Sequence, residues 1–179
     1  AKGNTDSFAS VKVDDKVRLN KIAILYGANA SGKSNILYAL QTVFRLLITP
    51  KSTRNKKIVC YHPFALAKGE PTKMGLSFYV NGIRYDYEIS YNEDYILSET
   101  LIFYPKGYKA SFYTREFVAE SSAANITFGT SAEIKKKAEN TFVSNTLNNH
   151  TVLSTYAKVA FEEDITAVSD LFAWITKSM

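Results

Sequence analysis

Eight consecutive residues carry the strongest chemical signal in the chain: Gly27-Ala28-Asn29-Ala30-Ser31-Gly32-Lys33-Ser34. The spacing is G-x-x-x-x-G-K-S, and each constant position suits a polyphosphate. Gly27 and Gly32 are expected to adopt backbone angles closed to residues with a side chain. Successive N–H groups from Asn29 to Ser34 then turn inward as an anion nest. A helix starting near Lys33 would aim the positive end of its dipole at the same point. Lys33 is the candidate catalytic cation, reaching the β- and γ-phosphates. Ser34 is the candidate metal ligand, because Mg²⁺ is a hard ion that prefers oxygen. The candidate binding set is Gly27, Ala28, Asn29, Ala30, Ser31, Gly32, Lys33, Ser34 and Asn35.

Such a loop must be held between a strand and a helix. Ile22-Ala23-Ile24-Leu25-Tyr26 is an unbroken apolar run and predicts a buried parallel strand leading in. Ile36, Leu37, Leu40, Val43, Phe44 and Leu47 recur at helical spacing and predict a helix over residues 33–48. Thr49-Pro50 ends it, because the residue before proline is pushed out of the helical region.

Asn29 inside the loop and Asn35 after it extend the pattern to G-x-N-x-S-G-K-S-N. This resembles the loop of ABC-type ATPases related to the SMC, RecF and OLD proteins. The longer stretch from Ile24 through Tyr26, Gly27 and Asn35 to Leu40 is similar to bacterial AAA-family, ABC-type ATPases of anti-phage defence and abortive-infection loci. The resemblance is strong over residues 19–48, weaker over 62–115 and faint from 139 onward. It implies an α/β fold: a P-loop NTPase of ABC-ATPase type, with an antiparallel β-subdomain and the start of a helical lobe. It further implies ATP and Mg²⁺ as cofactors, a homodimer that sandwiches ATP head to tail, and a nuclease effector as partner. The aromatic-rich strand that opens such domains has no convincing copy here; Ser7-Phe8-Ala9-Ser10 is too short a match.

Bulk properties fit a cytoplasmic globular protein. The 179 residues suffice for one domain or slightly more, and an apolar content of 46% supports a core. The 12 tyrosines and 11 phenylalanines favour β-structure. Cys60 is the only cysteine, so the chain can form no internal disulfide. No apolar run approaches a membrane span. The net charge of +5 is uneven: residues 1–60 hold 11 Lys/Arg against 3 Asp/Glu. Part of that excess suits a polyphosphate. Lys51, Arg54, Lys56 and Lys57 make a basic loop that reads first as solvated and, alternatively, as a DNA contact.

Residues 73–115 predict an antiparallel meander. Asn81-Gly82 is a strong hairpin signal between a strand from Met74 to Val80 and a return strand. The return strand alternates Ile83, Tyr85, Tyr87, Ile89 and Tyr91 with Arg84, Asp86, Glu88 and Ser90. Strands at 95–104 and 108–115 follow. Interleaved aromatic and basic residues on strands can stack nucleic-acid bases, but a half-buried sheet face explains the stripe more simply. Gly82-Ile83-Arg84-Tyr85-Asp86-Tyr87 and Glu99-Thr100-Leu101 echo the β-subdomain of the resembled family. Beyond residue 131 the pattern turns helical. A short basic helix contains Lys135, Lys136 and Lys137, and residues 140–150 read as irregular. Further helical spacing follows at Val152–Ala160 and Ile165–Ile175, with Asp164 a candidate cap for the last helix.

Two parts of a hydrolytic ATPase are missing from this pattern. No buried strand ends in an acidic pair that could organise Mg²⁺ and polarise water. Leu101-Ile102-Phe103-Tyr104 runs into Pro105, and Glu162 and Glu163 follow a helical segment. No serine-glycine signature is present, and Gln41, His62 and His150 have no assignable role. The expected organisation is a P-loop core with β-subdomain over 1–120 and the beginning of a helical lobe over 121–179, as a fragment of a larger ATPase. The competing readings are a DNA-repair or chromosome-maintenance ATPase of RecF or SMC type, and a module that senses nucleotide without hydrolysing it.

Overall fold

Two residues at a hairpin tip fix the register of the main sheet. Asn81 and Gly82 have φ of 50° and 78°, the left-handed values that a two-residue hairpin turn needs. They join β3 (Thr72–Val80) to β4 (Ile83–Tyr91), paired from Val80 with Ile83 to Thr72 with Tyr91. β5 (Ile96–Phe103), β6 (Ala110–Val118) and β7 (Ala123–Phe128) continue a five-stranded antiparallel sheet in the order β3-β4-β5-β6-β7. This computed structural model describes residues 9–13, 17–54, 56–64, 66–67, 69–162 and 165–178.

The alternation along β4 decides the faces. Tyr85, Tyr87, Ile89 and Tyr91 are buried, whereas Arg84 and Glu88 are exposed. The aromatic stripe is therefore core. Tyr85 stacks between Phe78 and Phe103, and Phe78 stacks on Trp174 at 4.6 Å. On the opposite face Asp86 accepts hydrogen bonds from Ser77, Arg84 and Tyr104. The polar side chains there satisfy one another beside solvent.

Helices cover the aromatic face. α1 (Lys33–Ile48) contributes Val43, Phe44, Leu46 and Leu47. A single 3₁₀ turn (Thr130–Ala132) precedes α2 (Lys136–Asn145), α3 (Val152–Tyr156) and α4 (Thr166–Lys177). Phe142 of α2 meets Phe128 of β7, and Trp174 of α4 meets Phe44 of α1 edge-on. Thr151 caps α3 by accepting from the Ser154 N–H.

Two compact units result, residues 1–38 and 39–179. The larger contains the sheet and the later helices together, so a division near residue 120 does not coincide with it: β7 at 123–128 extends the sheet past that point. The smaller contains a hairpin of β1 (Ser10–Lys12) and β2 (Arg18–Asn20). Among the described residues, no helix is long and apolar enough to cross a membrane.

The sequence reading needs three corrections. Residues 22–26 form no strand, and Ile22 and Tyr26 are 77% and 86% exposed. A parallel strand needs hydrogen-bonding neighbours brought in by crossovers, and no described residue supplies them. The basic helix starts at Lys136, after the 3₁₀ turn, and runs through 140–145, which had read as irregular. Ala138 and Phe142, one helical turn apart and both buried, hold it despite its polar composition. α3 stops at Tyr156 rather than continuing toward Ala160. The suggested cap Asp164 and the Ser7-Phe8 segment lie outside the described residues.

Candidate functional site

The loop of residues 27–34 is closed by its own lysine. Lys33, the first residue of α1, folds its ammonium back and donates to the Gly27 carbonyl at 2.7 Å and the Ala28 carbonyl at 2.5 Å. A longer contact of 3.4 Å reaches Ser31 Oγ. An ammonium has three donors and no acceptor, so these oxygens satisfy it. Two backbone bonds shape the rest: Ser31 N–H to the Ala28 carbonyl and Asn35 N–H to the Gly32 carbonyl.

The two glycines do different things. Gly32 has φ of 88°, where a side chain would be strained. Gly27 does not use positive φ, contrary to the sequence expectation; a Cβ there would lie 2.8 Å from Ser31 Oγ, so close approach is its constraint. The second left-handed residue is Ala30, at φ of 62°. Left-handed residues alternating with ordinary ones turn successive N–H groups toward one side, the geometry of an anion nest.

Residues 27–31 and Ser34 and Asn35 are exposed, and Gly32 and Lys33 are half-buried. The start of α1 is therefore open to solvent, with the loop, the ammonium and the Ser34 hydroxyl all at one helix N-terminus. That donor set fits a polyphosphate and a hard cation: N–H groups and an ammonium for the anion, a hydroxyl for the metal. Among the described residues, no three His, Cys, Asp or Glu side chains cluster to hold a metal on their own.

Residues 22–157 match the protein family described as "AAA domain, putative AbiEii toxin, Type IV TA system". The chain belongs to this family. Neither a curated protein nor a solved structure matched it. The AAA domain is a class of nucleotide-binding ATPase module, and the matched span includes the whole of the loop and α1.

This AAA domain also has a buried polar centre that sequence reasoning missed. Glu99 and Arg115 lie opposite each other on β5 and β6, both essentially without solvent contact. Glu99 accepts from the Tyr113 hydroxyl at 2.7 Å, the Tyr87 hydroxyl at 3.1 Å and the Val152 N–H at 2.9 Å. Arg115 lies 3.6 Å from its second carboxylate oxygen and donates to the His150 and Leu147 carbonyls. Burial pushes the Glu99 pKa up, and Arg115 and the three hydrogen bonds pull it back. Burial lowers the Arg115 pKa, and Glu99 opposes that shift. The signal for this pair was available: Glu99 alternates onto the same face as Leu101 and Phe103.

His150 is part of the same centre. The Lys51 N–H donates to Nδ1 at 3.2 Å, and Nε2 lies 3.2 Å from Thr155 Oγ1. The Leu147 N–H also points at Nε2, at 3.3 Å; a neutral ring has one acceptor nitrogen, so it accepts from one of these two backbone donors and not both. Burial lowers its pKa to about 3, and the positive charges of Lys158 and Arg115 act in the same direction. The Asn149 amide donates to the carbonyls of Thr53, Arg54 and Lys56. Thr151 Oγ1 donates to the Leu46 carbonyl near the end of α1. These side chains fasten the P-loop helix and the basic loop after it.

Proposed function

We propose that residues 27–35 bind the phosphates of ATP with Mg²⁺, and that the complete protein hydrolyses it to control an anti-phage effector. What chiefly supports the binding step is the Lys33 ammonium, held on two loop carbonyls at the open start of α1. An entering triphosphate offers better acceptors. The ammonium exchanges neutral carbonyls for anionic oxygens, and charge-assisted bonds are roughly twice as strong. The loop N–H groups would take phosphate oxygens, and the Ser34 hydroxyl would supply one oxygen ligand to the metal. Magnesium, when bound, neutralises charge on the β- and γ-oxygens.

Hydrolysis needs an acidic residue to organise the metal and water. β5 is followed by Tyr104 and Pro105, and supplies none at its end. In this reading that residue comes from elsewhere in the complete protein, which forms a head-to-tail homodimer around two ATP molecules. DNA, or a nuclease held inactive, is the partner. The same strand end favours the second reading, a sensor that binds nucleotide without turnover.

Calorimetric titration with MgATP tests the site. Lys33→Ala should remove about 1.5–3 kcal/mol of binding, a loss of roughly ten- to a hundredfold in affinity. Unchanged binding by that variant would refute the assignment. Phosphate release by the complete protein separates ATPase from sensor. Loss of phage protection on deletion of the gene from its source is the expected outcome for a defence role.

A further inference from the structure

The larger unit contains an open cavity of about 420 Å³. It lies between the β3–β4 hairpin tip, the approach to α2 and the start of α4. That volume is in the range of small-molecule sites. Its walls are mixed: Ile83 and Ile165 give apolar surface, and a few polar groups converge on the same space.

The deepest of these is Tyr85. The residue is only 4% exposed, and the faces of its ring are covered by Phe78 and Phe103. What remains for the cavity is the ring edge with its hydroxyl. That hydroxyl makes no hydrogen bond with a described residue, and it is not among the fully buried polar atoms that lack a partner, so its oxygen is open to the cavity. In the same core the hydroxyls of Tyr87, Tyr91 and Tyr113 each have a partner within the protein, so Tyr85 differs in offering its hydroxyl to the cavity.

The charges around the cavity are lopsided. Asp170 accepts one hydrogen bond, from the Asn81 amide at 2.9 Å, and forms no ion pair with a described residue. Glu133 lines the cavity too, and its carboxylate has no partner among the described residues. Lys135 is the one cation in the lining, and it is engaged in an interaction of its own. Among the described residues, then, neither carboxylate has a counter-ion and the Tyr85 hydroxyl has no partner, and all three line a space with partly apolar walls.

We propose that this cavity is a binding site for an organic cation: a guanidinium or primary ammonium group on a short apolar stem. The cationic head donates to Asp170, Glu133 and the Tyr85 oxygen, and the stem lies on Ile83 and Ile165. A guanidinium carries five donors, enough for both carboxylates and the hydroxyl together. The head can belong to a free small molecule or to an arginine side chain of a partner chain.

Amide chemical-shift titration of the full, isotope-labelled chain with n-butylguanidinium and n-butylammonium is the test, with n-butyrate and n-butanol as matched controls. The expected result is saturable shifts at Asn81, Tyr85, Glu133 and Asp170 with the two cations and none with butyrate. Asp170→Asn should weaken binding about tenfold or more. Tyr85→Phe, which keeps the ring and the core, should weaken it several-fold. Equal binding of butyrate or butanol would overturn the proposal. So would wild-type affinity in both variants, or an absence of shifts with the cations up to tens of millimolar, beyond the weakest range of useful affinity. Tighter binding of a blocked Ala-Arg-Ala peptide than of butylguanidinium identifies a partner chain as the source. Equal or weaker binding identifies a free cation. Lys33→Ala should leave every one of these results unchanged, so failure here and failure of the ATP site are distinguishable.

Discussion

Residues 22–26 and the inward face of strand β4 are both wholly apolar and have opposite fates. Tyr85, Tyr87, Ile89 and Tyr91 are buried, while Ile22, Ile24, Leu25 and Tyr26 are exposed. Hydrophobicity does not separate them; partners do. β4 has β3 two residues before it and β5 a short turn after it, so both edges are satisfied by near neighbours in sequence. A parallel strand has no such local supply and depends on crossovers of a dozen residues or more. The same contrast divides α1. Its second half buries Val43, Phe44, Leu46 and Leu47, while Ile36, Leu37 and Tyr38 in its first half are exposed. A helical period in the sequence thus marks a face able to be buried, whatever covers it.

The sharpest way to break this contrast is to attack the best-satisfied centre of the sheet. Arg115→Ala should cost about 3–5 kcal/mol in urea unfolding, because it strands a buried carboxylate and frees the Leu147 and His150 carbonyls. A cost under 1 kcal/mol would mean that the centre is looser than its geometry. Next comes a pair on one helix. Leu47→Ala, at a fully buried site, should cost about 2–5 kcal/mol. Leu37→Ala, at a site 63% exposed, should stay within about 0.5 kcal/mol. Equal costs would erase the division of α1.

Acid should then loosen the larger unit through His150. Its folded pKa of about 3 lies below the 6.5 of a free imidazole. The unfolded chain therefore takes up the proton first. The contribution of the neutral ring is full above about pH 6.5 and is lost progressively as pH falls toward 3. At pH 5 the loss is about 2 kcal/mol by linkage. Urea midpoints at pH 7 and pH 5 measure it, and His150→Gln should remove most of the slope. The smallest effect belongs to the hairpin tip. Gly82→Ala meets no atom within 4 Å, so only its left-handed φ opposes the change. The expected cost is about 1 kcal/mol.

The sequence was most readable where structure is local. The helix expected at 33–48 is α1, and the strand beginning at Ile83 after the Asn81-Gly82 turn is β4. Both depend on neighbours a few residues away. The loop's backbone was legible in part: Gly32 is left-handed as its spacing predicts, and the second left-handed position fell to Ala30 instead of Gly27. β7 was missed because Ala123-Ala124-Asn125 carries little strand preference, and its pairing with β6 supplies what composition lacks. The polar centre was missed for a similar reason. Thr146, Asn149, His150 and Thr151 look like a surface turn and are buried. Only the presence of Glu99, Arg115 and the end of α1 around them makes that burial tolerable, and none of these is near in sequence.

The hydrogen bonds from Asn149 and Thr151 to Thr53 and Leu46 span 96 and 105 residues. On a ribosome, the end of the P-loop helix and the basic loop wait for that late segment before their carbonyls are satisfied. Synthesis at about 5–20 residues per second makes this a wait of several seconds. During it, the early part of the domain exposes an apolar helix face and unpaired backbone. The order of synthesis, not only the final packing, sets when this domain is most open to chaperones and to aggregation.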